Sequence, residues 1–274
     1  MMKPVRSRSA LRKSGFARSS KPPKTARPEK PATDKAANMD LMQHIVELRK
    51  RLFIALAAMG LMTVAALYFG TGLIDVLAKP IGGVDKLVSI EVTENIGVFM
   101  RVSLLAGFIA SLPMTLYQLI AFLMPGLMPK ERRGLLIAIP FATLLFVAGV
   151  AFAYYVMLPA ALPFLISFVG VKTTPRLSNY FKFVTNLMFW IGLAFETPLI
   201  VYILARLRLV TARQLAKQWR IAIVVIAVIA AVATPTPDPV NMGLLMLPLF
   251  LLYWLSVLLA AIAARGRKEE PQPA

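Results

Sequence analysis

The chain has 274 residues, a formal net charge of +18, 58% hydrophobic residues and a mean hydropathy of +0.70. Several apolar runs approach membrane-spanning length, which excludes an ordinary soluble domain and points to an all-α polytopic membrane protein. With no cysteine and one histidine, His44, disulfides, thiolate chemistry and most transition-metal sites drop out, so neither a metal nor another cofactor is expected. The basic residues gather in the amino-terminal tail and between apolar runs, where membrane topology puts them, rather than in the pattern of a nucleic-acid-binding face.

Residues 1–38 are rich in Lys, Arg, Ser and Pro and poor in large apolar side chains, so they cannot bury enough surface to offset chain entropy. A disordered basic arm is expected there. It reads either as a polybasic segment resting on anionic membrane lipid or as a dispensable extension.

Hydropathy then gives six candidate spans: about Leu52 to Gly70, Val102 to Met124, Gly134 to Leu158, Phe181 to Leu207, Ile221 to Ala233 and Met242 to Ala264. Helices are expected, because an open-ended segment in lipid must satisfy its backbone internally. The links after the second and fourth runs carry Lys130, Arg132, Arg133 and Arg206, Arg208, Arg213, Lys217, Arg220, and both tails are basic. The positive-inside rule places these segments, and both termini, in the cytoplasm. Asp75, Asp85, Glu91, Glu94 and Asp238, with the sparser Lys79, Lys86, Lys172 and Arg176, fall outside. The fifth run is too short to cross the ~30 Å hydrocarbon core comfortably at ~1.5 Å per residue, unless its helix extends through Gln218, Trp219 and Arg220. The Thr234–Pro239 element, with three prolines, ends it.

Three carboxylates stand out. Glu47 lies among Arg49, Lys50 and Arg51, in a stretch whose Ile45, Leu48 and Leu52 recur at helical spacing, as an interfacial helix leading into the first span requires. Glu131 sits among Lys130, Arg132 and Arg133 in the link that follows Phe122. Both acids fall on the inner face, where two carboxylates a few ångströms apart can hold a pair of guanidinium groups. The alternative is that each merely neutralises its own basic neighbours. Glu196 lies about ten residues from the inner end of the fourth span, roughly 15 Å deep at helical rise. A carboxylate at that depth is costly and marks a functional site, a protonated acid or a bond to another helix. Pro198 frees backbone groups beside it, and Gln118 of the second span is a candidate polar partner.

Four segments in order carry a family resemblance: H-x-x-E-L-R-x-R-L at His44 to Leu52, L-P-x-x-x-Y-Q-x-x-A-F-x-x-P-x-L-x-x-x-E-R-R at Leu112 to Arg133, F-E-x-P at Phe195 to Pro198, and the Thr-Pro-rich element with Asp238-Pro239 before the last span. Together they resemble TatC, the receptor subunit of the twin-arginine protein translocase, over residues 39–264, leaving the arm and a polar tail at 265–274 outside. The resemblance implies six transmembrane helices in a concave, glove-like bundle in the bacterial cytoplasmic membrane, with no enzymatic step. It implies that Glu47 and Glu131, with the aromatic Phe122, bind the twin-arginine signal peptides of folded cargo. Arg49, Arg51, Arg132 and Arg133 match the basic companions of those glutamates. Glu196 matches the embedded acid that meets single-span partners of the TatA and TatB type, with Gln118 beside it. Self-association and transport driven by the proton-motive force follow from the same resemblance. The chain departs from the pattern at Pro129, just before Lys130, and at Thr236, which separates Pro235 from Pro237.

Overall fold

The computed structural model describes residues 33–123, 129–167, 174–207, 209–233 and 239–265. The chain divides into two units, residues 1–44 and 45–274. Of the first, the described part is the opening of α1 (Thr33–Tyr68), a helix that no proline or glycine interrupts from Thr33 through Met59. The rest of the expected basic arm, residues 1–32, lies outside the described residues, as does the expected Thr-Pro stop at 234–238.

In the second unit α1 is followed by α2 (Gly70–Ala78), which ends where Pro80 approaches and where Gly82 and Gly83 take φ of 96° and 109°. The Gly83 N–H donates to the Ala78 carbonyl at 3.0 Å, so this left-handed pair turns the chain back while satisfying a helix-end acceptor. Two further carbonyls at the end of α2 accept from distant phenols: Tyr154 donates to Val76 and Tyr180 to Leu77, both at 2.7 Å.

The remaining helices are α3 (Glu94–Leu123), α4 (Pro129–Phe152), α5 (Leu158–Ser167), α6 (Leu177–Arg206), α7 (Ala212–Lys217), α8 (Trp219–Ala233) and α9 (Pro239–Arg265). A π-helical turn, Ala153–Met157, joins α4 to α5. Its wider winding precedes Pro159, whose ring would crowd the carbonyl of the preceding α-helical turn. α7 starts on a reciprocal cap, with Thr211 Oγ1 accepting from the Gln214 N–H and Gln214 Oε1 accepting from the Thr211 N–H.

Among the described residues, five helical segments are long and apolar enough to cross a membrane: His44–Tyr68, Glu94–Phe122, Arg132–Pro163, Leu177–Arg206 and Met242–Ala263. Each of the first four outruns its predicted start, because amphipathic turns continue the helix beyond the purely apolar stretch. The fifth predicted run becomes α8, a helix of 15 residues. It spans about 22 Å and remains short of the hydrocarbon thickness. Its amino-terminal extension reaches Trp219 and stops, since Gln218 turns the chain between α7 and α8.

α6 is the central element, packed against α3, α4 and α9. Its Phe181, Val184 and Ile191 are almost fully buried, in one core with Val102, Leu158 and Leu245. Lipid offers apolar side chains no hydrophobic incentive to leave it, so close backbone approach has to hold such helices together. Small residues stand at the crossings: Gly149 of α4 meets Gly192 and Phe195 of α6, and Gly192 meets the Phe146 ring. Outward-facing Phe53, Val64, Ile137, Leu144 and Val228 are exposed, as a lipid-facing surface requires.

Candidate functional site

Glu47 sits on α1, half-buried, four residues before Arg51. Arg51 donates to a single carboxylate oxygen, Oε1, from Nε at 3.0 Å and from Nη2 at 2.6 Å. Oε2 carries no hydrogen bond among the described residues. The local neutralisation weighed from the sequence therefore exists, but it occupies one side of the carboxylate. Arg49 and Lys50 are exposed on the same helix.

Pro129 opens α4, a position that suits proline because the first helical N–H has no intrahelical partner. The backbone of Glu131 thus lies in the first turn of α4, where a negative charge is favoured by the helix dipole. Its side chain lies outside the described residues, and so does its expected pairing with Glu47. Phe122 lies in the last turn of α3, half-buried, and Arg132 and Arg133 are exposed.

Glu196 is 5% exposed on α6, and its Oε1 has no hydrogen-bond partner among the described residues. It lies one turn beyond Gly192, the residue that lets α4 approach. Pro198 is fully buried and lacks the N–H that the Ala194 carbonyl would otherwise receive. Gln118 is buried on α3, but its Nε2 lies 4.0 Å from Met114 Sδ and makes no hydrogen bond to Glu196. The sequence thus identifies two buried polar groups on neighbouring helices that the structure leaves unjoined. An orphaned buried carboxyl carries a desolvation penalty of about 1–3 kcal/mol or more, which suits a position completed by another molecule.

A second polar cluster escaped the reading of the sequence. At the start of α6, Arg176 donates from Nε to Glu94 and from Nη2 to Glu91, the latter at 2.6 Å. Glu94 also accepts from Ser178 Oγ at 3.1 Å and from the Ile90 N–H at 3.2 Å. Beside them Val88 and Arg176 form a parallel bridge, with Val88 N–H donating to Pro175 and Leu177 N–H to Val88. The hydrogen bonds that Arg176 donates to Glu91 and then to Glu94 raise its pKa above its ordinary value. The only sequence signal was a group of acids around the start of α3 and the cations Lys172 and Arg176 before α6, with Glu94 and Arg176 82 residues apart.

Residues 43–248 match the family model described as TatC, Sec-independent protein translocase protein. The Sec-independent protein translocase protein TatC of Deinococcus radiodurans is 35% identical over 256 residues, covering 89% of this chain and 95% of that protein. The TatC of Aquifex aeolicus is 36% identical over 238 residues, with 84% and 98% covered. A crystal structure of the twin-arginine translocase receptor TatC superposes with a TM-score of 0.73 at 33% identity, over 81% of this chain and all of that one. With its apolar spans, the chain is a multi-pass membrane protein, and it belongs to the TatC family of Sec-independent protein translocase components.

Proposed function

We propose that this protein is the receptor of a twin-arginine translocase, binding the signal peptides of folded cargo at the inner face of the bacterial cytoplasmic membrane. The observation that carries the proposal is Glu47: a half-buried carboxylate in the family-matched segment, with Oε2 left without a hydrogen bond among the described residues. A guanidinium can add there without displacing Arg51. Glu131 supplies the second acceptor, and Phe122 a ring against the apolar part of the peptide. The basic neighbours orient the two acids and hold the segment at the lipid surface.

In this reading α8 is a sixth, short span, both termini are cytoplasmic, and the bundle is concave. Residues 39–264 form the membrane domain, residues 1–38 a basic arm and residues 265–274 a polar tail. Single-span partners of the TatA and TatB type assemble at Glu196 and Gln118, two buried polar groups, of which Glu196 has an oxygen, Oε1, that a partner's polar side chain can complete. Self-association and use of the proton-motive force accompany this reading, and no bond-making step is assigned to the protein.

Photo-crosslinking to a signal peptide carrying Arg-Arg or Lys-Lys tests the receptor role. Replacing Glu47 and Glu131 together by Ala should abolish the Arg-Arg crosslink, and undiminished crosslinking would refute the assignment. Lys at either position should do more harm than Ala, since it adds repulsion to the lost acceptor.

A further inference from the structure

A groove of about 430 Å³ runs between α6, α8 and α9. Its walls are apolar along most of their length, from Trp190, Ile229 and Leu249 at one end to Val201 and Leu215 at the other. Thr197 interrupts the apolar wall on α6, and the second end carries Gln218 and the Tyr253 hydroxyl, which donates to the Leu215 carbonyl. From Gln218 to Ile229 the α8 wall rises about 17 Å, close to the ~15 Å of one leaflet's hydrocarbon.

The charge around the polar end is one-sided. Between residues 197 and 237 the chain has five cations, Arg206, Arg208, Arg213, Lys217 and Arg220, and no acid. Arg213, Lys217 and Arg220 are exposed, and none of the three meets a carboxylate among the described residues. Arg213 and Lys217 stand one turn apart on α7, while Arg220 lies over the Trp219 ring, 5.7 Å from its centroid. A tryptophan and unpaired cations at the end of an apolar slot form the chemistry of a membrane interface.

We infer that the groove is a binding site for one anionic phospholipid, whose phosphate is held by Arg213, Lys217 and Arg220 and whose acyl chain lies between α6, α8 and α9. The Gln218 amide sits at the junction, in reach of the ester region. The lipid also lies alongside α8, whose 15-residue helix is shorter than the hydrocarbon core is thick. The assignment of this end to the cytoplasmic leaflet rests on the orientation proposed above; the binding itself does not.

Native mass spectrometry of the full-length protein, titrated with phosphatidylglycerol or phosphatidylcholine, tests the site. Wild-type protein should retain one phosphatidylglycerol in preference to phosphatidylcholine, and each of Arg213→Gln, Lys217→Gln and Arg220→Gln should weaken retention on the order of five-fold. Ala222→Phe and Val225→Trp, which obstruct the slot and leave every cation in place, should abolish it; helical circular dichroism and gel filtration select the variant that folds. Equal retention of phosphatidylcholine, or unaltered phosphatidylglycerol binding in a folded slot-filled variant, overturns the site. So does a photo-reactive residue at Val225 that crosslinks in cells to a second copy or a single-span protein instead of lipid. Signal-peptide crosslinking measured on the same variants separates the two proposals, because a lost lipid with an intact crosslink leaves the receptor reading standing, and a retained lipid without any crosslink removes the receptor reading alone.

Discussion

Gly107 of α3 lies against the backbone of α1 at Thr63, so close that a Cβ on Gly107 would stand 2.4 Å from the Thr63 Cα. α1 has little else to hold it: only 6% of its apolar window is buried. Gly107→Ala must therefore push two backbones apart, at about 1–3 kcal/mol. Gly60→Ala on α1 meets nothing within 4 Å and should be neutral or stabilising by roughly 0.5–1 kcal/mol. Thermal unfolding of the two variants in detergent measures the contrast, and equal effects would mean that the crossing is not tight.

The Arg176 cluster ties the segment before α3 to the start of α6. Glu94 is buried and takes three donors, whereas Glu91 is exposed and takes one. Glu94→Gln should accordingly open the 82–93 segment to protease, with cleavage faster on the order of ten-fold, and Glu91→Gln should do much less. Because the pKa of Arg176 is raised, its contribution is complete below the unfolded arginine value and fades only as pH climbs through the folded one. Alkali up to about pH 10 should leave the protease pattern unchanged.

That cluster also shows where the sequence stops being legible. Helices declare themselves in apolar run length, and the short fifth run announced α8, because both follow from local composition. Glu47, Glu131 and Glu196 were visible for the same reason: an acid among basic residues or inside an apolar run is conspicuous. The Arg176–Glu94 contact and the α6–α8–α9 groove depend on which helices become neighbours, as does the missing bond between Gln118 and Glu196. The π-turn before Pro159 and the approach of Gly149 to Gly192 are likewise set by packing, since isolated glycines and prolines in apolar runs have several uses.

Glu196 offers a separation of stability from function. Its Oε1 makes no hydrogen bond that a substitution would break, so Glu196→Leu removes a buried orphan and should leave thermal stability unchanged or raise it by about 1–3 kcal/mol. Co-purification of single-span partners should fall with the same change, while Glu196→Gln keeps polar capacity and retains part of the interaction. A large stability loss in Glu196→Leu would instead identify the carboxylate as a bond holding the fold.

Arg51 and Glu47 make the last distinction. If Arg51 only orients the carboxylate, Arg51→Gln removes a half-buried i,i+4 pair worth about 0.2–1 kcal/mol, and signal-peptide binding should change by less than roughly five-fold. Glu47→Ala deletes the acceptor itself, and losing a charged hydrogen-bond partner costs about 1.5–3 kcal/mol, which lowers binding by roughly ten-fold or more. The double variant should resemble Glu47→Ala, because an orienting residue has nothing to orient once the carboxylate is gone. Affinities from titrating a fluorescent signal peptide into the four proteins complete the cycle. A double variant much weaker than Glu47→Ala would show that Arg51 contributes to binding through a route other than Glu47.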